Sequence, residues 1–199
     1  MKGGIFLQNL FCGIAAELRD IPRLTAESAR ESRSARSLTG TSMLMALSVL
    51  LNQFTIFVSA LIRISFTFLP IAAAGMLFGP VLTGFAGAAI DVLKYFTRND
   101  GSAFFPGFTI SEFVRGFLYG LILYRKPVTL ARTAFAHFSV MAVVTFLLNP
   151  LWLSMMYGQA FIALVGMRVV KNLVLFPIEV AMLYALLKAT ASIRARSLV

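Results

Sequence analysis

The chain has 199 residues, of which 59% are hydrophobic and only 13% are charged, and its mean hydropathy is +0.85. Soluble domains carry about 25% charged residues, so this composition excludes an ordinary soluble protein and indicates one embedded in a membrane. The formal net charge of +10 needs no nucleic-acid partner, because anionic lipid headgroups and membrane topology account for it.

The first 40 residues differ in kind from the rest of the chain. Apolar side chains recur there at helical spacing, at Leu7, Leu10, Phe11, Ile14 and Leu18. This pattern predicts an interfacial amphipathic helix, whereas a cleaved signal peptide would not have its apolar core interrupted by Gln8 and Asn9. We predict that residues 1–40 form a cytoplasmic or interfacial segment. Residues 41–190 are then a membrane domain, and residues 191–199 are a basic cytoplasmic tail.

Six apolar runs follow, and each is predicted to form a transmembrane helix. They are Leu44–Ile62, Leu69–Phe78, Val81–Phe96, Phe108–Tyr124, Ala134–Leu153 and Phe161–Leu187. Crossing the hydrocarbon core takes about 20 residues, so the second run, which ends at Gly79-Pro80, is predicted to be short, tilted or partly re-entrant. The predicted fold is therefore an all-α integral membrane protein with six transmembrane helices.

The basic residues predict the orientation of these helices. Twelve of the 18 precede the first run, lie between the fourth and fifth runs or follow the last: Lys2, Arg19, Arg23, Arg30, Arg33, Arg36, Arg125, Lys126, Arg132, Lys188, Arg194 and Arg196. Loops rich in Lys and Arg stay on the cytoplasmic side of a membrane. Both termini are therefore predicted to be cytoplasmic.

Three polar residues interrupt the last apolar run. Arg168, Lys171 and Asn172 share one face of the predicted helix, and no acid lies within a helical turn of them. A charged side chain in hydrocarbon costs roughly 2.5–3.5 kcal/mol on insertion scales. Two such cations on an inward face predict a site for an anionic ligand.

Other predicted helices carry polar faces at a similar depth. These are Glu112 and Arg115 in the fourth, Thr145, Asn149 and Trp152 in the fifth, and Asn52, Thr55, Ser59 and Arg63 in the first. Together they predict a water-accessible cavity in the outer half of the bundle. Glu179 lies about 27 Å along the last helix at ~1.5 Å per residue, so it is assigned to the cytoplasmic end and excluded from this cavity.

Some of these residues also have a purely structural interpretation. Glu112 and Arg115, spaced i, i+3, could neutralise each other, and Trp152 could anchor a helix end at the membrane interface. His137, the single histidine, is interpreted as a residue whose hydrogen bonds are satisfied between helices.

The chain offers no catalytic or metal-binding set. Cys12 is the only cysteine, and the eight acids are scattered rather than clustered as a zinc or two-metal centre requires. No G-x-x-x-x-G-K-[ST] sequence is present, so the chain is not expected to hydrolyse ATP. We predict that the protein is not an enzyme, that it needs no cofactor and that a partner supplies any energy for transport.

Four stretches resemble a known family. Arg63–Pro80 (RISFTFLPIAAAGMLFGP) resembles the substrate-binding S components of energy-coupling-factor (ECF) vitamin transporters. Phe104–Phe108 (FFPGF), Asn149–Trp152 (NPLW) and Arg168–Asn172 (RVVKN) resemble the folate-specific branch. The resemblance implies a multi-pass protein of a prokaryotic plasma membrane that captures folate, or a reduced folate, at the extracellular face. It further implies delivery through a transmembrane coupling protein driven by two ATP-binding-cassette ATPases.

The predicted cavity suits such a ligand. The basic side chains would attract the glutamyl carboxylates, the aromatic rings would stack on the pterin, and amide or carboxylate groups would pair with its edge. The candidate binding residues are Arg63, Phe105, Phe108, Glu112, Arg115, Asn149, Trp152, Arg168, Lys171 and Asn172. The sequence does not assign individual basic residues to either end of the ligand.

The resemblance also implies a docking surface of small residues on the first helix. Its nearest match here is Ser42-x-x-x-Ala46, with Leu50 at the next step. Three alternatives remain: an S component for another vitamin, which would share this architecture, an ion-coupled permease, and a membrane-embedded enzyme, which would need a clustered catalytic set. A permease would need paired halves, and the chain has no clear internal repeat.

Overall fold

The computed structural model describes residues 22–23, 25–30, 34–53, 56–57, 63–64, 66–97, 104–158 and 161–196. The amphipathic helix predicted for residues 1–20 lies outside this part of the chain, as do the last three residues of the predicted basic tail. Helices dominate the described residues, which confirms the all-α class.

Besides the helical residues 22–23 and 25–30 of the N-terminal segment, the described part of the chain contains seven α-helices and two short strands. The helices are α1 (Ala35–Gln53), α2 (Phe68–Phe78), α3 (Pro80–Thr97), α4 (Pro106–Leu123), α5 (Leu130–Val140), α6 (Asn149–Tyr157) and α7 (Phe161–Arg196). A π-helical stretch, Met141–Leu148, joins α5 to α6 in one continuous rod. Five of the six apolar runs coincide with a helix or with this rod, and the first does so only in part. Helices α1 and α7 cross the domain boundaries predicted at residues 40 and 190.

The first apolar run is helical over only part of its length. Helix α1 ends at Gln53, and strand β1 (Ile56–Phe57) pairs antiparallel with strand β2 (Arg63–Ile64). The prediction of a helix reaching Ile62 is therefore wrong. This segment is rich in β-branched residues, which favour extended backbone. Arg63 consequently lies on a strand and not on a helical stripe with Asn52.

A glycine separates the second and third helices. Helix α2 has 11 residues and ends before Gly79, whose φ of 84° is a conformation that other residues rarely adopt. Pro80 then begins α3, where its missing N–H costs nothing. The short second helix predicted from Gly79-Pro80 is confirmed.

Helices α2, α3 and α4 pack unusually closely because glycines line their contacts. A Cβ placed on Gly75 of α2 would lie 2.7 Å from the backbone nitrogen of Gly120 in α4. A Cβ on Gly116 would overlap the carbonyl oxygen of Thr83 in α3. Small residues permit this backbone approach, as in many membrane helix pairs. The fully buried Ile71 of α2 lies in the resulting core.

Two helical stretches among the described residues are long and apolar enough to cross a membrane, judged by length and composition. They are Leu130–Met156, with 27 residues, and Asn172–Ile193, with 22 residues. The whole of α7 has 36 residues and is roughly 54 Å long at about 1.5 Å per residue. Its length exceeds the hydrocarbon thickness of about 30 Å, so α7 extends well beyond one bilayer core.

Part of the N-terminal segment contacts the bundle at the junction between α2 and α3. The buried Ser28 hydroxyl donates a hydrogen bond to the carbonyl oxygen of Phe78 (3.2 Å) and accepts one from the Val81 N–H (3.3 Å). Nearby, Arg125 Nη1 lies 2.9 Å from Glu27 Oε2. The hydroxyl thus satisfies backbone groups that the helix break leaves without helical partners.

Candidate functional site

A cavity of about 150 Å³ lies between α2, α4, the long rod and α7. Its wall carries charged, polar and apolar side chains: Thr67, Phe68, Arg115, Tyr119, His137, Val140, Met141, Thr145, Asn172 and Glu179. Two of the predicted binding residues, Arg115 and Asn172, are among them. Thr145, which the sequence placed on the same polar face as Asn149, lines the cavity as well.

Three of the lining residues form a chain of hydrogen bonds across three helices. Tyr119 Oη of α4 lies 2.8 Å from His137 Nδ1 of α5, and His137 Nε2 lies 2.9 Å from Glu179 Oε2 of α7. In the tautomer that carries its hydrogen on Nε2, His137 donates to the Glu179 carboxylate, which can accept it. The side chains are 8% exposed at His137 and 20% exposed at Glu179, while Tyr119 is fully buried. The hydrogen-bond chain therefore lies along the cavity wall and ends at Glu179, its most exposed member.

Aromatic rings hold the histidine in place. The ring centroid of His137 lies 5.4 Å from that of Phe68 in α2 and 5.7 Å from that of Phe176 in α7. The interpretation of His137 as a residue satisfied between helices agrees with these contacts. The structure adds that the same imidazole reaches the cavity wall.

The exclusion of Glu179 from the cavity is wrong. Its distance along α7 is as predicted, but α7 continues to Arg196, so Glu179 lies near the middle of the helix and not near its C-terminal end. It lines the same cavity as Arg115 and Asn172. The spacing of Asn172 and Glu179, i and i+7, places both on one helix face and is the sequence signal that could have found it.

Arg115 and Glu112 form an ion pair within α4. Arg115 Nη1 donates to Glu112 Oε1, and the two side chains are only 18% and 15% exposed. The second oxygen of Glu112 is buried and has no hydrogen-bond partner among the described residues. The mutual neutralisation that the sequence left open is thus present, and Glu112 is not among the residues that line the cavity.

The predicted aromatic residues form a cluster of their own. The ring centroid of Phe105 lies 5.8 Å from that of Trp152 and 6.1 Å from that of Phe108. Trp152 Nε1 donates to Ser111 Oγ at 3.0 Å. These residues come together where α4 and α6 begin, outside the set of side chains that line the cavity. Asn149, one turn before Trp152, is half-buried on α6.

The remaining predicted binding residues are placed by their backbone alone. Arg168 and Lys171 lie on α7, four residues and one residue before Asn172, and Arg63 lies on β2. Their side chains are outside the described part of the structure. Lys171 directly precedes a residue that lines the cavity.

The predicted docking residues lie on an exposed face of α1. Ser42, Ala46 and Leu50 are all exposed, with 59% of Leu50 accessible. Met43 and Leu47 extend the same apolar surface. Helix α1 contributes no residue to the cavity wall.

The part of the chain that contains the cavity is also the part that is similar to known proteins. Residues 36–187 match the family "ECF transporter, substrate-specific component". The folate transporter FolT of Clostridium novyi (strain NT) is 36% identical over 143 residues, covering 72% of this chain and 83% of that protein. FolT of Leuconostoc mesenteroides subsp. mesenteroides is 34% identical over 152 residues, covering 73% and 81%.

A solved structure supports the same assignment. A crystal structure of FolT bound with folic acid superposes with a TM-score of 0.70 at 34% sequence identity, covering 78% of this chain and 95% of that one. The family match spans every helix from the second residue of α1 to beyond the cavity-lining part of α7. The chain therefore belongs to the substrate-specific components of ECF transporters, as the resemblance of its motifs predicted.

Proposed function

We propose that this protein is the folate-binding S component of an ECF importer. It captures folate or a reduced folate at the extracellular face of a prokaryotic plasma membrane. The observation that carries the proposal is the likeness, over 78% of the chain, to a FolT that was crystallised with folic acid. The two FolT relatives, at 34–36% identity, agree in ligand.

The cavity fits the head of folate better than the whole molecule. Pockets for complete drug-sized ligands measure about 300–1,000 Å³, so a cavity of about 150 Å³ suits one fused ring system. Glu112 already neutralises Arg115, and Glu179 adds a carboxylate to the wall. An anionic end would be repelled there, whereas a ring that donates hydrogen bonds would be favoured. The pterin therefore enters the cavity.

The glutamyl tail then extends toward the outer end of α7. Lys171 and Arg168 precede Glu179 by 8 and 11 residues, which is roughly 12 and 17 Å along a helix. Arg63 of β2 completes the basic set. This order along α7, a carboxylate and then two cations, follows the order of folate itself, from ring donors at one end to carboxylates at the other. The cluster of Phe105, Phe108 and Trp152 supplies apolar surface near the beginning of α4 and α6.

The membrane topology belongs to the same proposal. Six helical bodies cross the bilayer, with both termini in the cytoplasm, because the basic loops and ends group on one side. Residues 41–190 are the substrate-binding domain, flanked by the N-terminal segment and the basic tail. Large apolar side chains are exposed on α3, the rod and α7, among them Phe85, Phe138 and Leu173. Lipid is the partner that such scattered apolar surface requires.

Energy comes from partners. A transmembrane coupling protein and two ATP-binding-cassette ATPases drive release of the ligand, and the exposed Ser42, Ala46 and Leu50 of α1 form the surface that contacts the coupling protein. The small side chains of Ser42 and Ala46 allow close approach by a partner helix.

Calorimetry on the purified chain tests the function directly. The protein is titrated with folic acid and with a panel of other vitamins, and ATP hydrolysis is assayed on the same sample. We expect saturable binding of folic acid and no hydrolysis. A response to a different vitamin, with none to folic acid, would replace the folate assignment by another S component of the same family.

A further inference from the structure

We propose that Glu179 recognises the 2-amino edge of the pterin and that His137 is the positioning residue that orients it. This inference rests on the proposed folate-binding function, which it deepens by assigning one end of the ligand to one side chain. Glu179 is suited to the task by its place on the cavity wall and by its position at the accessible end of the Tyr119–His137–Glu179 hydrogen-bond chain.

The Glu179 carboxylate has acceptor sites left for hydrogen bonds from a ligand. Its Oε2 accepts from His137 Nε2 at 2.9 Å, and an ionised carboxylate has about four lone-pair sites. With 20% of its side chain exposed, Glu179 is the most accessible member of the chain. It can therefore accept further hydrogen bonds from a group inside the cavity without losing the one from His137.

The other two members fix the direction of that carboxylate. Tyr119 Oη is hydrogen-bonded to His137 Nδ1, the nitrogen that Glu179 leaves free, so both ring nitrogens are held. Phe68 and Phe176 pack against the imidazole. Contacts from α2, α4 and α7 thus give the histidine one orientation, and its Nε2–H directs Glu179 in turn. A carboxylate held in this way does not need to be ordered again when the ligand arrives.

The ligand chemistry matches a fixed carboxylate. A 2-amino-4-oxopteridine presents two neighbouring donors, the 2-amino group and N3–H, and two parallel N–H groups suit the two oxygens of one carboxylate. Asn172, which lies on the same face of α7 and also lines the cavity, offers both a donor and an acceptor for the rest of the ring edge. The glutamyl carboxylates, by contrast, have nothing to gain from Glu179.

Two ligands and a set of variants at Glu179 and His137 test this assignment. Folic acid and 2-desamino-2-methylfolic acid, which lacks the 2-amino donors, are titrated against the full chain and against Glu179→Gln. The affinity for folic acid should fall about 10- to 100-fold, as expected for losing hydrogen bonds to a charged group. The affinity for the desamino analogue should fall less, because the analogue keeps the N3–H donor but makes no 2-amino bond to Glu179 in either protein. The ratio of the folic acid affinity to the analogue affinity should therefore fall. A general loss of stability would lower both affinities alike and leave this ratio unchanged.

The role of His137 is tested by measuring the same affinity ratio in two variants, one that removes the N–H donor and one that keeps it. His137→Leu removes the donor to Glu179 and should reduce the ratio, whereas His137→Gln keeps an N–H donor close to the position of Nε2 and should restore most of it. Glu27→Gln makes the matched carboxylate-to-amide change outside the cavity and should leave both affinities unaltered. If Glu179→Gln does not fold, Glu179→Asp withdraws the carboxylate by one methylene and is expected to lower the ratio in the same direction.

The possible failures are distinguishable. A wild-type chain that binds no folic acid would overturn the proposed function and this inference with it. A wild-type chain that binds folic acid, with an unchanged ratio in folded Glu179→Gln or Glu179→Asp, would overturn the inference alone. An unchanged ratio in His137→Leu would overturn the positioning role of the histidine.

Discussion

At the scale of single residues, two carboxylates near the cavity have different tasks. Glu112 forms an ion pair with Arg115 on its own helix, whereas Glu179 is hydrogen-bonded to His137 on another helix. A charge that is already paired in a poorly hydrated site contributes mainly to stability, because removing its partner leaves the other charge buried alone. Glu179 has the accessible position that ligand recognition needs.

Glu112→Gln should therefore reduce stability more than affinity. Breaking a buried ion pair from one side costs about 3–5 kcal/mol of unfolding free energy. Thermal melting in detergent without ligand should show the loss, while titration per folded molecule should show folic acid affinity within about threefold of wild type, since Glu112 is absent from the cavity wall. A preserved melting temperature with strongly weakened binding would instead make Glu112 a ligand-contacting residue, as the sequence allowed.

Lys171→Ala and Arg168→Ala should each weaken folic acid binding by about tenfold or more. Removing one partner of a desolvated charge pair costs about 2–5 kcal/mol, and about 1.4 kcal/mol corresponds to tenfold. Neither change should lower the melting temperature, because no acid lies within a turn of these residues on α7. Lys188→Ala, on the same helix beyond the cavity, is the matched control and should bind normally. Unchanged affinity in both test variants would remove these cations from the site.

At the scale of helices, glycines determine how closely α2, α3 and α4 pack. Gly116→Ala places a methyl group on the carbonyl oxygen of Thr83 and should destabilise the protein by about 1–3 kcal/mol, as overpacking usually does. Gly166 of α7 has nothing within 4 Å of an added Cβ, so Gly166→Ala should be neutral or stabilise by up to about 1 kcal/mol. Thermal melting of the two variants provides the comparison. Equal changes in melting temperature would mean that helix propensity, and not packing, determines how these two substitutions affect stability.

Local sequence patterns predicted the helices well where apolar runs end at clear signals. Gly79-Pro80 predicted the end of α2 because positive φ and a missing N–H both stop a helix. The prediction was wrong at β1 and β2, because periodicity alone does not distinguish a buried helix from a strand in an apolar run of β-branched residues. Arg115 and Asn172 could be placed near the cavity from their depth along each helix. The hydrogen bond between His137 and Glu179 could not be predicted, because the two residues are 42 positions apart. The sequence of neither helix indicates which residue of the other helix it faces.

At the scale of the whole molecule, the cavity and the exposed face of α1 are separate surfaces. The cavity is lined by α2, α4, the rod and α7, while Ser42, Ala46 and Leu50 point outward from α1. A substitution on this face of α1 can therefore test the proposed docking role without altering the cavity wall.

Ala46→Trp should abolish folate uptake by cells that contain the complete transporter, because a bulky ring would keep a partner helix from approaching. Calorimetry should show unaltered folic acid binding by the purified chain. Ala185→Trp makes the same change at an exposed position of α7 and should leave uptake normal. If binding and uptake fell together in Ala46→Trp, the substitution would be disturbing the fold and α1 would lose its docking role.

The hydroxyl of Ser28 has a consequence for where this domain begins. Family similarity starts at residue 36, yet the backbone groups at the break between α2 and α3 are satisfied by a side chain 50 and 53 positions away in sequence. A chain that began at residue 36 would lack this hydroxyl and would leave those backbone groups without their side-chain partner. The segment that precedes the family match thus closes the bundle at this break, through the Ser28 hydroxyl and the neighbouring Glu27–Arg125 ion pair.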